Sequence, residues 1–136
     1  MRTFETGATR DTDENKHDYE GFLSPTVIER FGEYMTRHRV QADGSVRASD
    51  NWQKGIPKNE YLKSAFRHFV EWWKLHRRRG EYSTEEMEEV LCALMFNVMG
   101  YLHEHLKKDL EIEDDMEFIK KTTDEYDKLY PKAGST

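Results

Sequence analysis

Two pairs of side chains three residues apart carry the clearest chemistry: His68 with Glu71, and Glu86 with Glu89. At about 100° per residue on a helix, Ser64, His68, Glu71 and Leu75 fall along one flank of an apolar stripe. Glu86, Glu89, Ala93, Asn97, Gly100 and Glu104 fall along the matching flank of a second stripe. If the two helices pack antiparallel, the flanks converge. Carboxylates gathered from two helices suit hard divalent cations, because Mg2+ and Mn2+ prefer oxygen ligands and keep positions open for water and phosphate. A plainer reading fits the same residues. Glu in a first helical turn favours the helix dipole, and Glu71, the only acid between Tyr61 and Gly80, stands at helical spacing from Arg67 and Lys74. His68 fits a hydrogen-bonded structural role as well as a ligand, and ranks below the carboxylates.

A second cluster lies between the periodic segments. Residues 47–57, RASDNWQKGIP, mix amide donors, cations, an aromatic plate and turn formers. Such a loop can cradle a nucleotide: Arg47 and Lys54 suit phosphate, Asn51 supplies amide groups, and Trp52 either stacks on a base or plugs the core. Other candidates fall away on physical grounds. His17-Asp18 lacks further His and Asp ligands at suitable positions, and His103 and His105, two apart, sit on different faces of a helix. No phosphate-binding glycine loop, nucleophile elbow or Cys/His dyad is present.

The elements that must position these residues are helices. Ser24 followed by Pro25 is a helix start, after which Val27, Ile28, Phe31, Tyr34 and Met35 share a face and predict a helix ending near His38. Residues 39–57 show no sustained period and read as a long functional or disordered loop. Asn59 is placed to cap a second helix, with Leu62, Ala65, Phe66, Phe69, Trp72 and Trp73 as a wide apolar stripe ending before Gly80. Ser83 with Glu86 is a capping box. Met87, Val90, Leu91, Leu94, Met95, Val98, Tyr101 and Leu102 continue it as the best helical period in the chain. A fourth, more polar helix is expected from Asp114 to Leu129. Residues 1–23 read as an extended segment that orders against a ligand or neighbour, and 130–136 as a flexible tail.

Composition sets the limits. The chain has 136 residues, which implies a single domain over 1–136. Leu, Ile, Val and Phe total only 26 residues, so the expected architecture is an all-α bundle of about four helices whose thin core is completed by oligomerisation. No apolar run approaches the roughly 18 residues of a spanning helix, the N-terminus is no secretory signal, and the single Cys92 fits a reducing compartment; a soluble, cytoplasmic protein is expected. The net charge of −6 divides as −2 over residues 1–60, +5 over 61–80 and −9 over 81–136. This asymmetry suits helices that pair electrostatically. Nucleic-acid binding through Lys63, Arg67, Lys74 and Arg77 to Arg79 is disfavoured by the acidic remainder.

Four segments together carry a family resemblance: ETGATRDTDENKHDYEGFLSP, EYMTRHRVQADGSVRASDNWQKGIP, SAFRHFVEWWKLHRRRG and EEVLCALMFNVMGYLHE. Over about Glu5 to Glu104, and most specifically at NWQKGIP, RHFVEWW and LCALMFN, the chain resembles the phage dATP/dGTP diphosphohydrolases of MazZ type. These are all-α nucleotide pyrophosphohydrolases related to MazG and HisE. The resemblance implies an EExxE element on one helix and an ExxD element on the next, together holding two or three Mg2+ or Mn2+ ions. This chain departs from that pattern: His68-x-x-Glu71 stands at the first element and Glu86-x-x-Glu89 at the second, with Glu for Asp. A shifted register starts the second pair at Glu89 and puts Cys92 at its acidic position. The metal ligands implied are therefore Glu71 and Glu89 first, with Glu86 and His68 below them.

The reaction implied is metal-dependent hydrolysis of dGTP or dATP to monophosphate and pyrophosphate. Glu86 or Glu89 would take the proton of the attacking water, Lys54 would steady phosphate oxygens, and Asn97 would meet sugar or base. Family members are similar to phage enzymes that remodel the purine deoxynucleotide pool and supply dGMP for genomes carrying 2-aminoadenine, in the host cytoplasm. The resemblance also implies a homodimer or homotetramer, with no membrane or nucleic-acid partner. Two alternatives remain: a pyrophosphohydrolase of another nucleotide, and a non-catalytic helical phage protein that binds through residues 61–79.

Overall fold

The computed structural model describes residues 1–78, 81 and 83–131, with side chains outside 108–116. The protein is mostly α-helical. Its N-terminal segment carries a two-residue hairpin, β1 (Arg2–Thr3) paired antiparallel with β2 (Thr9–Arg10), and the single turn α1 (Tyr19–Phe22). Three longer helices follow: α2 (Pro25–Arg37), α3 (Lys58–Arg77) and α4 (Thr84–Leu129).

Local chemistry sets the helix starts. The Ser24 hydroxyl accepts the Val27 N–H at 3.3 Å, and Pro25 occupies the first helical position, where its missing N–H costs nothing. The Ser83 hydroxyl accepts the Glu86 N–H at 3.1 Å at the start of α4. In α3 the start departs from expectation. The helix begins at Lys58 rather than after an Asn59 cap, because Pro57, with φ −56° and ψ 137°, holds the extended entry and its carbonyl accepts the Glu60 N–H.

A larger correction concerns the C-terminal half. The helix expected from Asp114 is the continuation of the one beginning at Thr84, a single rod of 46 residues. The apolar period pauses between Leu102 and Asp114, but the stretch HEHLKKDLEIE contains neither Gly nor Pro, so nothing interrupts the backbone ladder. Tyr130 closes α4 by donating its N–H to the Tyr126 carbonyl, and residues 132–136 of the expected tail lie outside the described residues.

The loop between α2 and α3 is more ordered than its sequence suggests. Val40 bridges Val46, the Gln41 N–H donates to the Ser45 carbonyl at 2.8 Å, and Gly44 turns the chain at φ 86°, a conformation that disfavours any side chain. Asn51–Lys54 then form a 3-10 turn. Trp52 anchors this turn by setting its half-buried ring edge-on to His103 and Phe96 of α4, with centroids 4.8 and 6.5 Å apart.

Helices α3 and α4 form an antiparallel hairpin. Tyr61, near the start of α3, lies against Phe96 and Gly100, while Leu75, near its end, lies beside Glu86 and Val90. Gly100 is required here: a Cβ at that position would run into the Tyr61 ring. α2 packs on α4, joining Phe31, Tyr34 and Met35 to the buried Cys92 and Ala93. The interior is small. Among the described residues the buried apolar side chains are Tyr34, Tyr61, Leu75, Cys92 and Ala93, whereas Leu62, Phe66, Phe69 and Trp73 of α3 and Met95, Val98 and Leu102 of α4 are exposed. No helix among the described residues is long and apolar enough to cross a membrane.

Candidate functional site

The end of α3 and the start of α4 enclose an open cleft of about 500 Å³. Glu71 and Lys74 of α3 face it, with Arg78 just past the helix end, and Glu85, Glu86 and Glu89 face it from α4. The antiparallel hairpin therefore brings Glu71, Glu86 and Glu89 to one place, as the helical flanks predict. His68 does not line the cleft. Its Nδ1 lies 3.3 Å from Oε2 of Glu71, one helical turn away, so it touches the cleft only through that carboxylate.

Glu89 is the most heavily engaged of these acids. Its Oε1 accepts from Arg30 at 3.0 Å and from Arg37, and its Oε2 lies 3.4 Å from Nε2 of His38. Arg30 also binds Glu88 at 3.2 Å, and Arg37 binds Glu85 at 3.1 Å. Partial burial alone would raise the Glu89 carboxyl. The hydrogen bonds from Arg30 and His38, with the charges of Arg37 and Arg30, outweigh it and hold the carboxyl below the usual carboxylate range. Behind this network, burial raises the Tyr34 phenol, aided by the Glu89 charge, and burial also pushes up the Cys92 thiol.

These α2 cations were not among the candidates drawn from the sequence. Their signal was nonetheless present. Arg30 and Arg37, seven residues apart, lie on one face of α2 beside the Phe31–Tyr34 stripe, and the start of α4 repeats acid at Glu85, Glu88 and Glu89.

The expected substrate-binding residues are spread more widely. Asn97 is buried, donates its side-chain amide to the Ala93 carbonyl at 2.8 Å, and lines a different groove with Tyr61, Leu62 and Val98. By helical rise it stands about 12 Å along α4 from Glu89. The half-buried Trp52 sets its ring edge-on to Phe96 and His103, with half-buried Asn51 and exposed Lys54 beside it in the same turn. Arg47 is tied to Arg39: its N–H donates to the Arg39 carbonyl, and its own carbonyl accepts from the Arg39 guanidinium, both at 2.8 Å.

The lining of the cleft mixes the carboxylates of Glu71, Glu85, Glu86 and Glu89 with the cations of Lys74 and Arg78. Among the described residues no three His, Cys, Asp or Glu side chains are gathered tightly enough to hold an ion. Both oxygens of Glu89 are engaged by Arg30, Arg37 and His38. Comparison with known proteins found no matching family model, no matching curated protein and no matching solved structure.

Proposed function

We propose that this protein is a metal-dependent nucleotide pyrophosphohydrolase that converts purine deoxynucleoside triphosphates, dGTP and dATP, to the monophosphate and pyrophosphate. The observation carrying this reading is the single cleft onto which Glu71, Glu86 and Glu89 are set by two different helices. Glu71 and Glu89 are the primary ligands for Mg2+ or Mn2+, with Glu86 beside them. A divalent cation there supplies neutralisation of triphosphate charge and a lowered pKa for water. Glu86 or Glu89 accepts the proton of the water attacking the α-phosphorus, and His68 steadies Glu71 through its hydrogen bond. Lys74 and Arg78 line the cleft and are the cations available there to phosphate oxygens, whereas Lys54 stands beside Trp52, which packs on His103 about 20 Å of helical rise along α4 from Glu89.

The reading includes a homo-oligomer. Leu62 and Ala65 of α3 and Val98, Tyr101 and Leu102 of α4 line one groove of about 500 Å³, and this apolar side of the hairpin is left uncovered by α2. A second copy presents the same face, and four such helices build the core that one chain lacks.

A second reading, a helical binding protein, is favoured by a different observation: exposed Phe66, Phe69 and Trp73 interleave with Lys63, Arg67 and Arg77 along α3, and Arg77 lies over the Trp73 ring at 5.7 Å. One experiment separates the two. The protein is incubated with each of the four deoxynucleoside triphosphates and their ribonucleotide counterparts with Mg2+ or Mn2+, and products are resolved by ion exchange. Monophosphate and pyrophosphate from dGTP or dATP are expected. Turnover of another nucleotide changes the substrate, and none with any nucleotide transfers the weight to the binding reading.

A further inference from the structure

Tyr61 meets α4 at Gly100 and Trp52 meets it at His103, and from there the helix runs on past the start of α3. Residues 106–129 form an arm of about 36 Å, somewhat longer than the roughly 30 Å of α3. Within the arm Phe118, Ile119, Thr122, Tyr126 and Leu129 share one helical face. Every side chain from Glu117 to Tyr130 is exposed, Phe118 by 70% and Leu129 by 75%. An apolar stripe on a helix is built to face another element. Charge is sorted around it: by the helical period Glu125 and Asp127 flank the stripe, whereas Lys121 and Lys128 fall on the back. Over 106–129 nine Asp and Glu stand against five Lys.

The complementary surface is on α3. Tyr61 and Leu75 are buried on the side toward α4, which leaves Phe66, Val70 and Trp73 as an exposed ridge on the outer side. Lys63 and Arg67 follow one edge of the ridge, and Arg77 lies over the Trp73 ring. Val70, Trp73, Lys74, Arg77 and Arg78, with Glu81, line an open groove of about 800 Å³ at its end. The arm cannot reach the ridge of its own chain. From Tyr101 to Tyr130 α4 contains neither Gly nor Pro, and it leaves α3 at the Tyr61 end, pointing away.

We propose that the α4 arm of one copy lies along the α3 ridge of a second copy, with Phe118, Ile119, Tyr126 and Leu129 on Phe66, Val70 and Trp73, and Glu125 and Asp127 beside Lys63 and Arg67. The arm and α3 match in length, so two copies set antiparallel make both contacts at once, as two-fold symmetry requires. Apolar surface drives the contact, and the opposite charges along its edges fix the partner. The ridge is separate from the groove of Leu62, Ala65 and Val98, and the inference is independent of the hydrolase reading.

The test is analytical ultracentrifugation of the full chain. Wild type is expected to self-associate at micromolar concentration, and more weakly as salt rises. Lys63→Glu with Arg67→Glu on the ridge, and Glu125→Lys with Asp127→Lys on the arm, are each expected to weaken association about tenfold, because each pair sets like charges face to face. Circular dichroism should show an unchanged helical fold, since all four side chains are exposed. With the four substitutions in one chain the signs are exchanged on both surfaces, and association returns to near the wild-type level. The proposal is overturned if wild type is monomeric, if either pair of substitutions leaves association unchanged, or if the combined chain stays dissociated. A labelled oligothymidylate is titrated in parallel. Binding that the ridge substitutions abolish, and that leaves the wild-type copies associated, gives the ridge to a single-stranded nucleic acid and overturns the proposal as well.

Discussion

The two ends of the α3/α4 hairpin are built on opposite principles. At the Tyr61 end, an aromatic ring fills the space that Gly100 leaves, Phe96 meets it edge-on at 5.8 Å, and Tyr61 is only 2% exposed. At the cleft end Leu75 and Val90 are overlaid by acids and bases open to solvent, of which Glu85 and Glu89 are held by ion pairs from α2. Close packing admits one arrangement, because a methylene's worth of change is felt by every neighbour. Ion pairs near the surface can be traded for other ions at little net cost. One end thus fixes the register in which the other end presents its carboxylates.

The comparison breaks most decisively at the cleft. Glu71→Gln and Glu89→Gln are each expected to abolish nucleotide turnover while circular dichroism shows a folded helical protein; full turnover in both would remove the site. His68→Gln, acting only through Glu71, is expected to retain activity lowered about tenfold to a hundredfold.

Changes at the packed end should move stability instead. Tyr61→Ala is expected to cost about 3–5 kcal/mol in denaturant unfolding. Gly100→Ala, which forces a Cβ against the Tyr61 ring, is expected to cost about 1–3 kcal/mol. If either leaves the unfolding midpoint unchanged, the close approach of α3 and α4 at that point is wrong. Leu102→Glu, on the uncovered apolar side, is expected to shift the protein toward monomer in sedimentation at micromolar concentration, and an unchanged oligomer would place the subunit contact elsewhere.

The smallest effect is on pH dependence, and it again separates the ends. The Glu89 carboxyl is held below its unfolded value, so its contribution to stability is present above the ordinary carboxylate range and is lost as pH falls through the lowered folded value. Tyr61, raised by burial and by the Glu104 charge, has the opposite sign: its contribution is complete below the unfolded phenol value and is lost as pH rises through the raised one. Unfolding curves should therefore show an acid limb that shrinks in Glu89→Gln and an alkaline limb that shrinks in Tyr61→Phe.

Much of the local structure was legible in the chain. Ser24-Pro25 and Ser83 mark helix starts through backbone N–H groups they satisfy within three residues, and the shared flank of Glu86 and Glu89 follows from the helical period alone. Where the reading failed, it leaned on hydrophobic period. The pause after Leu102 suggests a break, whereas helix continuity depends on backbone hydrogen bonds that polar residues such as Lys107 and Lys108 sustain equally well. Asn97 shares the acids' flank on a helical wheel, but the wheel has no axial coordinate, and about two turns of rise place it on a different groove.

The sequence by itself determined where α2 and α4 begin, which faces carry acid and which carry apolar surface, because those properties depend on neighbours three or four positions away. Only the tertiary structure decided that Glu89 is held by Arg30, Arg37 and His38, more than fifty residues distant in the chain. Charges that meet across such a separation are selected by the packing of Tyr34 and Met35 against Cys92 and Ala93, and no local pattern encodes that docking.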